Sequence, residues 1–336
     1  MVFYTDYSLD QLNTFNIKAK AEIFIEISSI SDLEGYIRRK KYFERPRFIL
    51  GNGSNVLFTS NFDGVVLKNC LSGIEVLAEN EDEISIKVAS GENFDNFVQY
   101  CAKNRYCGIE NLSGIPGTVG ASAVQNIGAY GQEASQIIEC VEYYNFETCQ
   151  IENIKAQDCK FEYRSSIFKN ELKDKAFIIS VTYKLKRKFE ACVSYGNLAE
   201  LLKEYPILTP LIMRRTIIAT RNEKIPDFKE FGNAGSFFKN PEITKTIADK
   251  LLTKEKDLKT FPIKNGNVKL SAGQLIDLCG FKGIKEGNVG IAENQALVII
   301  NLGNATGKEI LTFSKKIAKS VKERFGVKLE PEVCII

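Results

Sequence analysis

The chain has 336 residues, 44% hydrophobic and 26% charged, with 45 Lys and Arg against 42 Asp and Glu for a formal net charge of +3. That composition is globular, long enough for two or three domains at ~150 residues each, and well short of the basicity of a nucleic-acid binder, so no nucleic-acid partner is expected. There is no histidine, which excludes Ser-His-Asp and Cys-His catalysis and histidine-bearing metal sites; no metal is expected.

The first residues, "MVFYTDYSLDQLNTFNIKAK", show no basic segment followed by an apolar run, and no stretch approaches the ~18 apolar residues of a membrane span. A cytoplasmic protein without membrane insertion is expected. The nine cysteines include no Cys-x-x-Cys pair, so they read as reduced and packed as small apolar groups.

In chain order, "EIFIEI" alternates like a half-buried strand, and "SDLEGYIRRKKY" reads as a helix capped by Ser31. "RFIL", "GVVLKN", "GIEVLA" and "ISIKVASG" read as strands and "NFDNFVQYCAKN" as a helix. From Gly108 to Glu133 the chain turns rich in Gly, Ser, Ala and Asn; strands resume at "CVEYYNF" and "AFIISVTYKLKR". A domain boundary is expected near Ile207 to Arg221. Beyond it, "ALVIIN" is a buried strand and "TGKEILTFSKKIAKSVKERFG" a helix with a Thr306/Glu309 capping box and Gly326 at its end. "VKLEPEVCII" closes the chain as a strand.

Five stretches could carry chemistry. "ILGNGSN" puts Gly51, Asn52, Gly53, Ser54 and Asn55 after a strand; both a phosphate cradle and a plain strand-to-loop turn account for it. "SGIPGTVGASAVQNIGAYG" repeats glycine at 114, 117 and 120 and interleaves apolar residues, which suits contact with a flat ring and a pyrophosphate better than it suits a flexible linker. In "CKFEYRSSIFK", Arg164 lies on an alternating, strand-like segment and is either a solvated surface charge or a fork for a substrate carboxylate. In "LEPEV", Glu330 and Glu332 flank Pro331 as an edge strand or supply an acid. In "GNAGSFFKNP", Ser236 next to Gly235 reads locally as a turn hydroxyl.

Taken in order, "NTFNIKAKA", "LGNGSNVL", "LSGIPGTVGASAVQNIGAYGQE", "YRSSIFK", "GNAGSFFKNP", "KLSAGQLIDLCGFKG", "ALVIIN" and "LEPEV" resemble the UDP-N-acetylenolpyruvoylglucosamine reductase family from about Asn13 to Val333. "SYGNL" around Tyr195 resembles its longer class, with a tyrosine-bearing insertion. The resemblance implies an α+β fold with an FAD-binding domain of the vanillyl-alcohol-oxidase type over 1–215, in lobes of about 1–70 and 71–215. A C-terminal α+β substrate domain over 216–336 comes next, its last strand (about 327–336) returning to the active site.

It further implies a peptidoglycan-synthesis oxidoreductase in which NADPH reduces non-covalent FAD and UDP-N-acetylglucosamine enolpyruvate becomes UDP-N-acetylmuramate. Arg164 and Glu332 would stabilise the enolate and Ser236 would protonate it. FAD contacts would come from Gly51, Asn52, Gly53, Ser54, Asn55, Gly114, Ile115, Pro116, Gly117, Gly120, Ser122, Asn126, Gly128 and Tyr130. Substrate contacts would come from Tyr195, Lys224, Asn240 and Lys269. A monomer is expected. Ala292 and Glu293 stand where the family often carries a loop histidine.

Overall fold

The computed structural model describes residues 2–263 and 266–336. The chain forms two compact units that interleave in sequence: Met1–Tyr7, Ala21–Asn52 and Asp63–Arg221 make the first, and Ser8–Lys20, Gly53–Phe62 and Asn222–Ile336 the second.

The first unit is built on two sheets. Phe3–Ser8, Lys20–Ile27, Phe62–Asn69 and Arg47–Leu50 pair in that order, the last two parallel. Gln150–Lys155, Ile138–Asn145, Ala176–Lys186, Glu83–Ala89 and Ile74–Glu79 form an antiparallel sheet in that order. Its central strand, Ala176–Lys186, is buried continuously from Ala176 to Tyr183 because both faces are covered there. Phe177 and Ile179 pack into one core with Ile23, Ile25, Leu33 and Tyr36. Ile178, Val181, Tyr183 and Leu185 pack into another with Phe94, Phe97 and Val98 of the helix Phe94–Asn104.

Two local readings need correction. The first helix, Ile30–Ile37, is capped by Ser29 and not by Ser31: Ser29 is extended and its Oγ accepts from Asp32 N, which leaves Ser31 inside the helix. Arg164 is not on a strand. It sits in a tight turn in which Glu162 and Ser165 exchange backbone hydrogen bonds at 3.1 Å, with φ +57°. A non-glycine residue in the left-handed region is uncommon and is held there by its surroundings.

In the second unit, Glu242–Thr244, Asn267–Leu270 and Thr260–Pro262 form one small sheet, and Lys285–Glu286, Val289–Ile291 and Ile299–Asn301 another. The helix Gly307–Phe325 carries the full capping box, Thr306 with Glu309, and ends at Gly326 with φ +70°. Of the closing segment only Cys334–Ile335 forms a strand, paired parallel with Val56–Leu57. Phe15 meets Phe237 edge-on at 6.3 Å, tying the 8–20 segment into this unit's core. Among the described residues no helix is long and apolar enough to cross a membrane.

Candidate active site

In the first unit, the two glycine-bearing stretches meet. Asn52 Nδ2 donates to Gly117 O at 3.0 Å, and a Cβ on Gly51 would lie 2.9 Å from Thr118 Oγ1. Lys68 Nζ holds Gly51 O at 2.9 Å. A Cβ on Gly120 would lie 2.8 Å from that of Ser90, and Gly114 and Gly117 have φ of +72° and +131°. Glycine is needed at these positions because the backbone approaches closely or turns left-handed.

This loop rests on scaffolding that sequence reasoning missed. Asp95 accepts from Gly114 N at 2.5 Å and from Nη1 and Nη2 of buried Arg214 at 2.5 and 2.7 Å. Burial pushes the Asp95 carboxyl up, but the Arg214 and Gly114 donors outweigh it and hold the group below its ordinary value. Buried Asn111 donates from Nδ2 to Tyr130 O and Cys192 O, both at 2.8 Å, and so joins the glycine-rich stretch to the Tyr195 segment. Tyr195, half exposed, meets Tyr130 edge-on at 5.8 Å. No sequence spacing links Asp95 to Arg214 or Asn111 to Cys192.

Several expected contacts already have partners inside the protein. Ser122 Oγ is buried between Val119 O at 2.6 Å and Tyr183 OH at 2.7 Å. Buried Asn126 donates to Glu133 and Glu162 O and accepts from Ser135 N. These two side chains shape the loop from within. Pro116 is exposed, while Ile115, Gly128 and Tyr130 are partly buried. Arg164 donates to Gly128 O at 2.7 Å and lies over the Tyr163 ring, which brings its guanidinium to the glycine-rich stretch.

In the second unit the serine and glutamate segments run side by side. Phe237 N donates to Leu297 O at 2.8 Å on one flank; on the other, Glu332 N donates to Phe237 O at 2.8 Å and Lys239 N to Glu330 O at 2.9 Å. Ser236 and Glu332 are both partly buried. Gly53, at φ +64°, sits against Leu12 O, and Ser54 and Asn55 come directly after it. Asn55 Nδ2 donates to Glu332 O at 3.2 Å.

Asn240 Oδ1 accepts from Ala272 N at 2.9 Å, and Lys269, well shielded, lies 3.5 Å from Glu242, its partner on the neighbouring strand of the same sheet. Next to Ala272 opens a polar cavity of about 290 Å³ lined in part by Lys259, Ser271, Lys282 and Gln295. Sequence reasoning did not single out these lining residues. Lys224 is exposed at the end of the helix Pro210–Lys224. Ala292 is buried in a turn closed by its N–H to Val298 O at 3.0 Å, with Glu293 exposed.

A family model described as an FAD binding domain matches residues 21–150, and one described as the C-terminal domain of UDP-N-acetylenolpyruvoylglucosamine reductase matches residues 227–336. A UDP-N-acetylenolpyruvoylglucosamine reductase of Flavobacterium johnsoniae is 42% identical over 339 residues, covering 100% of both chains. The chain belongs to the UDP-N-acetylenolpyruvoylglucosamine reductase family. The reductase of Chromobacterium violaceum is 40% identical over 337 residues, covering 99% of each chain.

The crystal structure of the reductase from Thermus caldophilus, at 22% identity, matches with a TM-score of 0.67 over 99% of this chain and 98% of that one. A 4-ethylphenol oxidase from Gulosibacter chungangensis, at 10% identity, reaches 0.51 over 97% and 84%. These two likenesses concern fold alone. With the FAD-binding match they make the architecture the expected one: α+β, with an FAD-binding domain of the vanillyl-alcohol-oxidase type.

Proposed function

We propose that this chain reduces UDP-N-acetylglucosamine enolpyruvate to UDP-N-acetylmuramate, taking hydride from NADPH through FAD. Family membership over the full length supports the coarse statement, an FAD-linked reductase of peptidoglycan synthesis. The observation carrying the finer reading is the pairing of the Ser236 and Glu332 segments, joined by the Glu332 N–H to Phe237 O bond of 2.8 Å.

The residues present fit FAD. At Gly51 and Gly120 a side chain would crowd Thr118 and Ser90, so only glycine lets the loop pack this closely. Gly51, Asn52, Gly53 and Ser54, with Gly114, Ile115, Pro116, Gly117, Gly120, Gly128 and Tyr130, would hold the cofactor largely through backbone amides and apolar contact. Ser122 and Asn126 would keep that loop in shape. When bound, FAD supplies hydride from its N5 to the substrate C3.

The rest of the chemistry at the substrate falls to the chain's own groups. Charge arriving at C2 spreads into the neighbouring carboxylate, where fixed charge and hydrogen-bond donors are worth most in a dry site. Arg164 would hold that carboxylate, its orientation fixed by the left-handed turn and by Gly128 O. Glu332 would act with it on the enolate. Ser236 would give its hydroxyl proton to C2. Tyr195, Lys224, Asn240 and Lys269 would meet the uridine diphosphate part. We read 1–215 as the FAD-binding domain and 216–336 as the substrate domain, to which segments 8–20 and 53–62 add.

Ser236→Ala tests the central step. NADPH should still bleach the flavin, while transfer to the enolpyruvyl substrate falls by at least ~10², the lower end of general acid catalysis. Equal losses in both half-reactions would mean that Ser236 is structural.

A further inference from the structure

We propose that Asn55 is a positioning residue for Glu332, fixing where that carboxylate stands beside the Ser236 segment, and that its side chain is not a cofactor ligand. This rests on the reading of Glu332 as a group acting on the enolate.

Three hydrogen bonds carry the inference, all within the second unit. Asn55 O accepts from Cys334 N at 3.0 Å, and Asn55 Nδ2 donates to Glu332 O at 3.2 Å. One residue thus grips positions two apart on the closing segment. On its other side Glu332 donates its N–H to Phe237 O at 2.8 Å. Both peptide groups of Glu332 are therefore held, one by the neighbour of Ser236 and one by Asn55. With both peptides fixed, the direction of the glutamate Cβ is set, and the carboxylate starts from a defined place.

The surroundings require this grip. Pro331 precedes Glu332 and has no N–H to contribute to a ladder. On one side it makes an isolated antiparallel bridge to Phe238, and on the side facing Asn55 regular pairing begins only at Cys334, opposite Val56. The Glu332 carbonyl lies beyond the end of that short strand, and Asn55 Nδ2 reaches it there. Asn55 is itself delivered by a tight loop: Gly53 O accepts from Thr14 N at 3.1 Å, and a Cβ on Gly53 would collide with Leu12 O. Asparagine suits the role because its side chain supplies an N–H donor at short reach; aspartate has the same shape and offers only acceptors.

The test uses the holoenzyme with Asn55→Asp, Glu332→Gln and the double variant, each half-reaction tracked by stopped flow. For Asn55→Asp we expect unchanged FAD content and unchanged bleaching by NADPH. Transfer to the enolpyruvyl substrate should slow by about 10- to 10²-fold, the scale of a small misplacement at a reacting centre. In the Glu332→Gln background the same change should add little, since both act through one group.

Loss of FAD, or equal slowing of both half-reactions, would overturn the inference and make Asn55 a cofactor ligand or a general structural residue. Fully multiplying losses in the double variant would overturn it as well. If Glu332→Gln alone transfers at the wild-type rate, the reading of Glu332 falls and the inference with it, a result separable from the other two. Asn55→Ala, which also removes side-chain packing, should match Asn55→Asp in its split between half-reactions.

Discussion

Glu110 is an acid kept almost wholly out of water, 3% exposed, with both carboxylate oxygens facing Gly108 N at 2.9 and 3.1 Å. Burial pushes its carboxyl above the ordinary 4.5, against the opposing pull of those backbone donors. A folded state with a raised carboxyl binds its proton more tightly than the unfolded chain does. Its contribution to stability is full below the unfolded value and is lost as pH rises through the folded one. Glu110→Gln cannot ionise, so its stability relative to wild type should climb from mildly acidic to neutral pH. Urea midpoints across that range check this; a difference flat with pH would show that Glu110 titrates alike in both states. Composition could not announce this group, because a glutamate two residues beyond a glycine reads as surface. Arg164 was legible as a residue to watch but not as a turn: alternation of apolar and polar neighbours says nothing of a left-handed φ held by tertiary contacts.

At the scale of elements, legibility tracked length and periodicity. The helix Gly307–Phe325 was readable down to its caps because Ile310, Phe313, Ile317, Val321 and Phe325 form one buried stripe. Thr306 closes its first turn, its Oγ1 accepting from Glu309 N at 3.2 Å while the Glu309 carboxylate accepts from Thr306 N at 2.7 Å. Thr306→Ala should therefore cost about 1 kcal/mol. Chemical denaturation of the Thr306→Ala variant would register the loss, and an unchanged midpoint would mean that the helix end is held by packing alone. Two shorter helices were not legible. Val119–Val124 is made of small residues inside a glycine-rich run, and Ala272–Leu278 is only seven residues long. Neither is long enough to show a helical stripe, and such short helices depend on tertiary packing. Pro210–Lys224, rich in β-branched residues and charges, read as a boundary; the two units do divide at Arg221, but within a 15-residue helix.

At the scale of the molecule, the second unit draws on three separate stretches of chain. Residues 222–336 alone would lack Phe15, Val56, Leu57 and Phe58, all buried, and the strand that pairs with Cys334–Ile335. Gly232 has Phe15 O where a Cβ would sit, so the 8–20 segment is packed backbone to backbone with the serine loop. An isolated 222–336 fragment should show no cooperative thermal transition by circular dichroism; a sharp one would mean that the N-terminal segments are dispensable to this unit. A reading made along the sequence divides the chain linearly, since hydropathy and glycine content carry no sign that two short early segments join a late one.

The same interleaving sets an order of events during synthesis. Phe15 and the Val56–Leu57 strand leave the ribosome early, yet the Phe237 ring and the Cys334–Ile335 strand they await come hundreds of residues later. Closing such sequence-distant contacts is slow. For most of the time the nascent chain spends growing, those early apolar segments lack their late native partners and stand open to chaperones or to other chains. The Ser236 and Glu332 segments can come together only once the last few residues are free of the exit tunnel. A chain truncated by even its final strand would leave Val56–Leu57 without the partner that pairs with them.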